Sequence, residues 1–139
     1  MNIYFACSVT GGRDFESVYQ ALTKALLTDG HQIPTAHLAD PMVVELETRV
    51  SARQVYDRDI AWIAAADALI AEVSVPSHGV GYEIGYALGA GKPVLCLSHE
   101  SRKVSKMITG NPHRGLTTQT YQDASEAIHL ARAFISSLR

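Results

Sequence analysis

The stretch ALIAEVSVPSHGVGYE, residues 68–83, decides the fold. Ala68–Val73 is a short apolar run closed by Pro76, the pattern of a strand buried on both faces. Ser77-His78-Gly79-Val80-Gly81 is a glycine turn, and helical spacing predicts a helix over 80–91, stopped by Gly91 and followed by Pro93. The segment is a strand, a glycine loop and a helix in succession. Working outward, Val94–Leu97 is the next strand, and residues 2–8 form a continuous apolar run that reads as the first. Phe15, Val18, Tyr19, Leu22 and Leu26 recur at helical spacing up to Asp29-Gly30. Gln32–Ala36 is a weaker strand candidate, and 37–49 looks irregular. A helix over 51–66 has Ser51 as candidate cap. A short helix over 101–108, a strand near 116–121 and a helix over 123–138 capped by Asp123 complete the chain.

Alternating strands and helices imply an α/β fold. The expectation is a single doubly wound (Rossmann/flavodoxin-like) domain spanning 1–139, with a mostly parallel five-stranded sheet and helices on both faces. Ligands of such sheets bind beyond the carboxyl ends of the strands, at a topological switch point. That points to three loops: Ser8–Gly12, Ser74–Gly81 and Ser98–Ser105.

Composition narrows the function. The chain has 139 residues, a formal charge of -2 and scattered Lys and Arg, so it has no electrostatic footprint for a nucleic-acid polymer. No apolar run has the roughly 18–20 residues that span a bilayer, and no basic, cleavable leader precedes Ile3-Tyr4-Phe5, so a cytoplasmic location is expected. Cys7 and Cys96 lie in apolar runs and read as reduced, packed thiols. The six histidines form no pair at metal-ligand spacing, so no metal site is expected.

The glycine loop carries the richest chemistry. Gly79 and Gly81 let backbone approach a ligand closely, a helix start offers unpaired N–H groups to an anion, and Ser77 adds a hydroxyl. A helix from 80 would put Glu83 in its first turn, where the dipole favours the ionised carboxylate. Such a group is suited to attack a sugar carbon; equally, it is an ordinary first-turn acid. Asp59 falls in the middle of the face made by Val55, Trp62, Ile63 and Ala66. An inward carboxyl there is either the salt-bridge partner of an Arg or a general acid prepared by desolvation. An ionised Glu83 and a protonated Asp59 would form a glycosidase pair. Tyr4 is a core aromatic or a phenol that orients a catalytic carboxylate. His37 lines a base pocket or lies exposed. His78 has no partner that would make it a base, and Glu72 reads as structural.

Taken together, Ile3-Tyr4-Phe5 with Ser8 and Gly11-Gly12-Arg13, Asp59-Ile60-Ala61-Trp62, the PSxGVGYE block at 76–83 and Gly91–Leu97 resemble the 2′-deoxynucleoside 5′-phosphate N-hydrolases of the nucleoside 2-deoxyribosyltransferase superfamily. The resemblance covers nearly the whole chain in order. It implies hydrolysis of the N-glycosidic bond of a nucleoside 5′-monophosphate, without metal or organic cofactor. Glu83 matches the nucleophile, Asp59 the general acid, Tyr4 the orienting tyrosine and Ser77 a phosphate-binding serine. Ser8, Gly11, Gly12, Gly79 and Gly81 belong to the matching substrate loops. Ser105 matches a serine that reaches the neighbouring subunit's substrate, which implies a homodimer. One position departs: mammalian members carry Arg before the Gly-Gly pair, where this chain has Thr10, which cannot make a bidentate phosphate contact. Two other readings use the same residues: base exchange on unphosphorylated nucleosides, and nucleotide binding without catalysis.

Overall fold

A computed structural model describes all 139 residues. Four strands, β1 (Ile3–Ala6), β2 (Ala68–Glu72), β3 (Val94–His99) and β4 (Leu116–Tyr121), form an all-parallel sheet in the order β1-β2-β3-β4. The register pairs Tyr4 with Leu69 and Leu69 with Val94. Helices α1 (Glu16–Thr28), α2 (Val43–Thr48), α3 (Ala52–Ala65), α4 (His78–Gly89), α5 (Lys106–Thr109) and α6 (Ala124–Ser137) surround it.

The sheet has four strands where the sequence suggested five. At the fifth position Gln32 makes a single parallel bridge to Asn2. Beyond it Pro34 has no N–H to give, and the Thr35 hydroxyl takes the Phe5 N–H at 3.0 Å, a place a ladder carbonyl would fill. The chain then tightens into a 3-10 turn at Ala36–Ala39, and 43–48 is helical rather than irregular. The Gln32 bridge flanks β1 on one side and β2 on the other, so the reversal of direction sits at β1.

Pleating explains why both faces of β1 are apolar. Ile3 and Phe5 pack with Val18, Tyr19, Leu22 and Leu26 of α1 and with Ala131, Phe134 and Ile135 of α6. Tyr4 and Ala6 face the other way, with Ile63 of α3 and Val80, Ile84 and Leu88 of α4. Cys7 and Cys96 are free and buried, and burial pushes both thiols up to about 12. No helix is long and apolar enough to cross a membrane.

Caps set the helix starts. Ser51 and Gln54 form a reciprocal capping box on α3, and Asp123 accepts from the Glu126 N–H at 2.9 Å. α4 begins at His78 because the Ser77 hydroxyl accepts from the Val80 N–H at 3.3 Å. That is two residues earlier than the spacing suggested, so Glu83 stands in the second turn, away from the unpaired N–H groups. Ser51→Ala should lower the unfolding free energy by about 1 kcal/mol, read from the urea midpoint. An unchanged midpoint would mean that α3 does not depend on this cap.

Candidate active site

Glu83 is held by the strand beneath it. The Tyr4 hydroxyl donates to Glu83 Oε1 at 2.5 Å, joining β1 to α4. Tyr4 itself is fully buried, so it is at once a core aromatic and a polar anchor. Its burial and the adjacent Glu83 push the phenol far above its ordinary range, and it remains a donor. Burial also pushes Glu83 up to about 7, against the Tyr4 hydrogen bond, which lowers it; Asp59 raises it further and Arg58 lowers it. The helix dipole is therefore not what governs Glu83: desolvation is.

Asp59 lines the same cavity as Glu83, about 510 Å³, with Glu47, Val50, Val55, Tyr56, Gly79 and Tyr82. It has the ionic partner that the sequence left open. Arg58 Nε donates to Asp59 Oδ1 at 2.8 Å, and its Nη2 lies 3.2 Å from Glu47. The carboxyl that burial raises is Glu83.

His37 does not line this cavity. Its Nε2 lies 2.9 Å from Glu47 Oε1 and its ring meets Trp62 edge-on, so it reaches the site only through Glu47. Ser8 is fully buried, and its hydroxyl has no partner. It lies beneath Gly11 and borders neither this cavity nor the adjacent groove. Gly11 is required sterically: a Cβ would stand 2.4 Å from the Pro76 carbonyl, so the Ser8–Gly12 loop packs directly on the start of the 76–83 loop. Gly12 adopts φ 134°, open to glycine alone.

Ser77, Gly81 and Ser105 come together on the other flank of α4. They border a second groove of about 510 Å³ with His78, Lys103, Met107 and Asn111. Ser105 caps α5, accepting from the Met107 N–H at 3.2 Å, so the expected helix at 101–108 is a single turn that starts later. Thr10 is exposed. Arg13 does not replace the missing arginine. It donates to the carbonyls of Ser8, Leu38 and Asp40 and to Glu16, and stacks over Tyr19. Lys103 is the one Lys or Arg bordering either cavity, and nothing in the sequence sets it apart from Arg102 and Lys106 beside it. Glu47 and Arg58 were also missed, since only the tertiary fold brings them to Asp59.

Glu72 is a strut, as its position at a strand end suggested. Ser74 donates to it through both N–H and hydroxyl, and Tyr121 through its hydroxyl at 2.9 Å. Ser74 Oγ in turn accepts from the His99 N–H at 2.7 Å, tying the ends of β2, β3 and β4 beneath the loops. No three His, Cys, Asp or Glu side chains gather at metal-binding distance.

The profile of the nucleoside 2-deoxyribosyltransferase family matches residues 3–132. A Methanosarcina barkeri protein provisionally named 2′-deoxynucleoside 5′-phosphate N-hydrolase 1 is 38% identical over 136 residues, covering 98% of this chain and 86% of that protein. The mouse protein named 5-hydroxymethyl-dUMP N-hydrolase is 40% identical over 116 residues, 78% of this chain and 65% of its own. Among solved structures, the Clostridium botulinum CMP N-glycosidase shares the fold with a TM-score of 0.74 at 20% identity, over 96% of this chain and 99% of that one.

The folded chain holds the Glu83 proton to higher pH than the unfolded chain, which releases it near 4.5. Stability from this group therefore falls as pH rises from about 4.5 to about 7, and stays low above that. Glu83→Gln, which keeps an acceptor for Tyr4 and carries no charge, should gain on the parent by on the order of 3 kcal/mol between pH 4 and pH 8. Urea unfolding at the two pH values measures this. A difference that does not change with pH would refute burial as the cause.

Proposed function

The chain belongs to the nucleoside 2-deoxyribosyltransferase family, and from that premise we propose that it is an N-glycosidase hydrolysing (2′-deoxy)nucleoside 5′-monophosphates to free base and (deoxy)ribose 5-phosphate. The observation that carries the reading is the Tyr4–Glu83 hydrogen bond at the wall of a cavity shared with Asp59. The whole chain, 1–139, acts as one unit.

In this mechanism the ionised Glu83 attacks C1′, and the C1′–N bond breaks with its electron pair passing to the base. Asp59 gives that nitrogenous base a proton. Water then attacks C1′ of the glycosyl-Glu83, Asp59 takes a proton from it, and Glu83 leaves as carboxylate. Tyr4 fixes one Glu83 oxygen and stays protonated throughout. A carboxylate kept near 7 is a stronger nucleophile than an ordinary one and is still half ionised at neutral pH.

The 5′-phosphate is held by the start of α4, where the His78 and Gly79 N–H groups have no helical partner, with the Ser77 hydroxyl beside them. Gly11 and Gly12 keep the opposite loop close. Two copies form a homodimer in which Ser105 serves the neighbouring site. Met107, 84% exposed two residues from Ser105, and the exposed, stacked Tyr82 and Tyr86 give a second copy an apolar surface to cover. Two unpaired buried thiols suit a reducing, cytoplasmic setting.

Base release from a panel of nucleosides and 5′-monophosphates, with and without a second free base, tests the reading. Monophosphates should be hydrolysed without base exchange; exchange confined to unphosphorylated nucleosides would overturn it. Glu83→Ala should lower turnover about 10³-fold or more with the fold intact. On a substrate whose leaving group departs without a proton, so that Asp59 is not needed as acid, the rate should rise with pH through about 7 as Glu83 ionises. Tyr4→Phe should move that rise to higher pH, because the lost hydrogen bond lowers Glu83 in the parent. A rise that stays in place would refute the role given to Tyr4.

A further inference from the structure

We propose that Arg58 is a positioning residue for Asp59: it fixes which carboxyl oxygen carries the catalytic proton. This rests on Asp59 acting as the acid of the proposed hydrolysis. Neighbours on a helix point about 100° apart, so Arg58 would not meet Asp59 by default. Three contacts turn it back. The guanidinium lies over the Trp62 ring, 4.9 Å from its centroid, one turn further along α3. Glu47 of α2 accepts from Nη2, and Nε is left for Asp59 Oδ1. Trp62 and Glu47 are themselves held by His37 from the 3-10 turn, so three elements close around one guanidinium. The side chains of Arg58, Glu47 and Asp59 are only 24%, 18% and 15% exposed, unlike an ordinary surface pair.

The consequence is chemical. Arg has donors only, so the oxygen facing it stays an acceptor in either protonation state of Asp59. A proton on this carboxyl therefore sits on Oδ2, which has no hydrogen bond within the chain. Arg58 does not line the cavity, so it acts through Asp59. A Lys would hold one carboxylate but not span both, since it lacks the fork. Without the clamp, Asp59 is free to turn among its staggered rotamers, and the proton has no fixed direction.

The test compares Arg58→Ala, Arg58→Lys, Asp59→Asn and the double variant Arg58→Ala/Asp59→Asn on two substrates. One is the best nucleoside 5′-monophosphate. The other is a 4-nitrophenyl 2-deoxyriboside 5-phosphate, whose leaving group departs without a proton. General acid catalysis is worth about 10²–10⁴-fold, and misdirecting the proton should cost part of it. Arg58→Ala should lower kcat on the nucleotide about 10- to 100-fold with KM little changed. It should be near parental on the nitrophenyl substrate assayed well above pH 7, where Glu83 is ionised with or without Arg58. Arg58→Lys should recover part of the loss. The double variant should be no slower than Asp59→Asn alone. Glu47→Gln, which loosens the clamp from another element, should show the same pattern at smaller amplitude and guards against a folding defect at Arg58. The inference is overturned if Asp59→Asn is slow while Arg58→Ala is not, if Arg58→Ala is equally slow on both substrates, or if the two losses add. Asp59→Asn at the parental rate would instead remove the acid role itself, and this inference with it.

Discussion

The site depends on a phenol of the first strand holding a carboxylate of the fourth helix. Tyr4 belongs to the core on the α3/α4 face, and its hydroxyl emerges only at Glu83. A buried carboxylate without a donor is costly. With one donor it is tolerable, and its proton is held to about 7. Everything else in the cavity follows from that placement. β1 fixes the height of Glu83, Ser77 fixes the start of α4, and Gly11 on the Pro76 carbonyl fixes the distance between the two loops.

Charge around the cavity is divided between fixed roles. Arg13 is consumed by three backbone carbonyls and Glu16, Arg58 by Glu47 and Asp59, and Arg102 by Asp14. An anion at the start of α4 would meet backbone N–H groups, the Ser77 hydroxyl and Lys103 rather than a free guanidinium. The polar chain His37–Glu47–Arg58–Asp59 stands behind the other wall, packed on Trp62, and reaches the cavity only at Glu47 and Asp59. It turns the short α2 and the turn before it, which look irregular in the sequence, into part of the site.

The fold was legible where one interaction range decides it. The apolar runs at 3–6, 68–72 and 94–97 are strands because both faces are covered, and Ser51 and Asp123 cap their helices through contacts three residues away. It was not legible at 32–36, where Pro34 and the Thr35 hydroxyl replace a ladder that periodicity alone suggested. Glu83 stood out by its place behind the glycine loop and Asp59 by helical phase, and they do share a cavity. Their environments did not follow from phase, since Arg58 and Glu47 reach Asp59 by tertiary packing and the two-residue shift of α4 removes Glu83 from the dipole. His37 and Ser8 were placed by proximity in the chain, and packing took both away from the cavity wall.

The central claim is that Glu83 forms the bond to C1′. Acid quenching of the enzyme during turnover of a nucleoside 5′-monophosphate, followed by peptide mass spectrometry, tests it directly. The account predicts a pentosyl 5-phosphate adduct on the peptide that contains Glu83, formed as base is released and lost in Glu83→Gln. An adduct on another residue, or base release by Glu83→Gln at the parental rate, would contradict it.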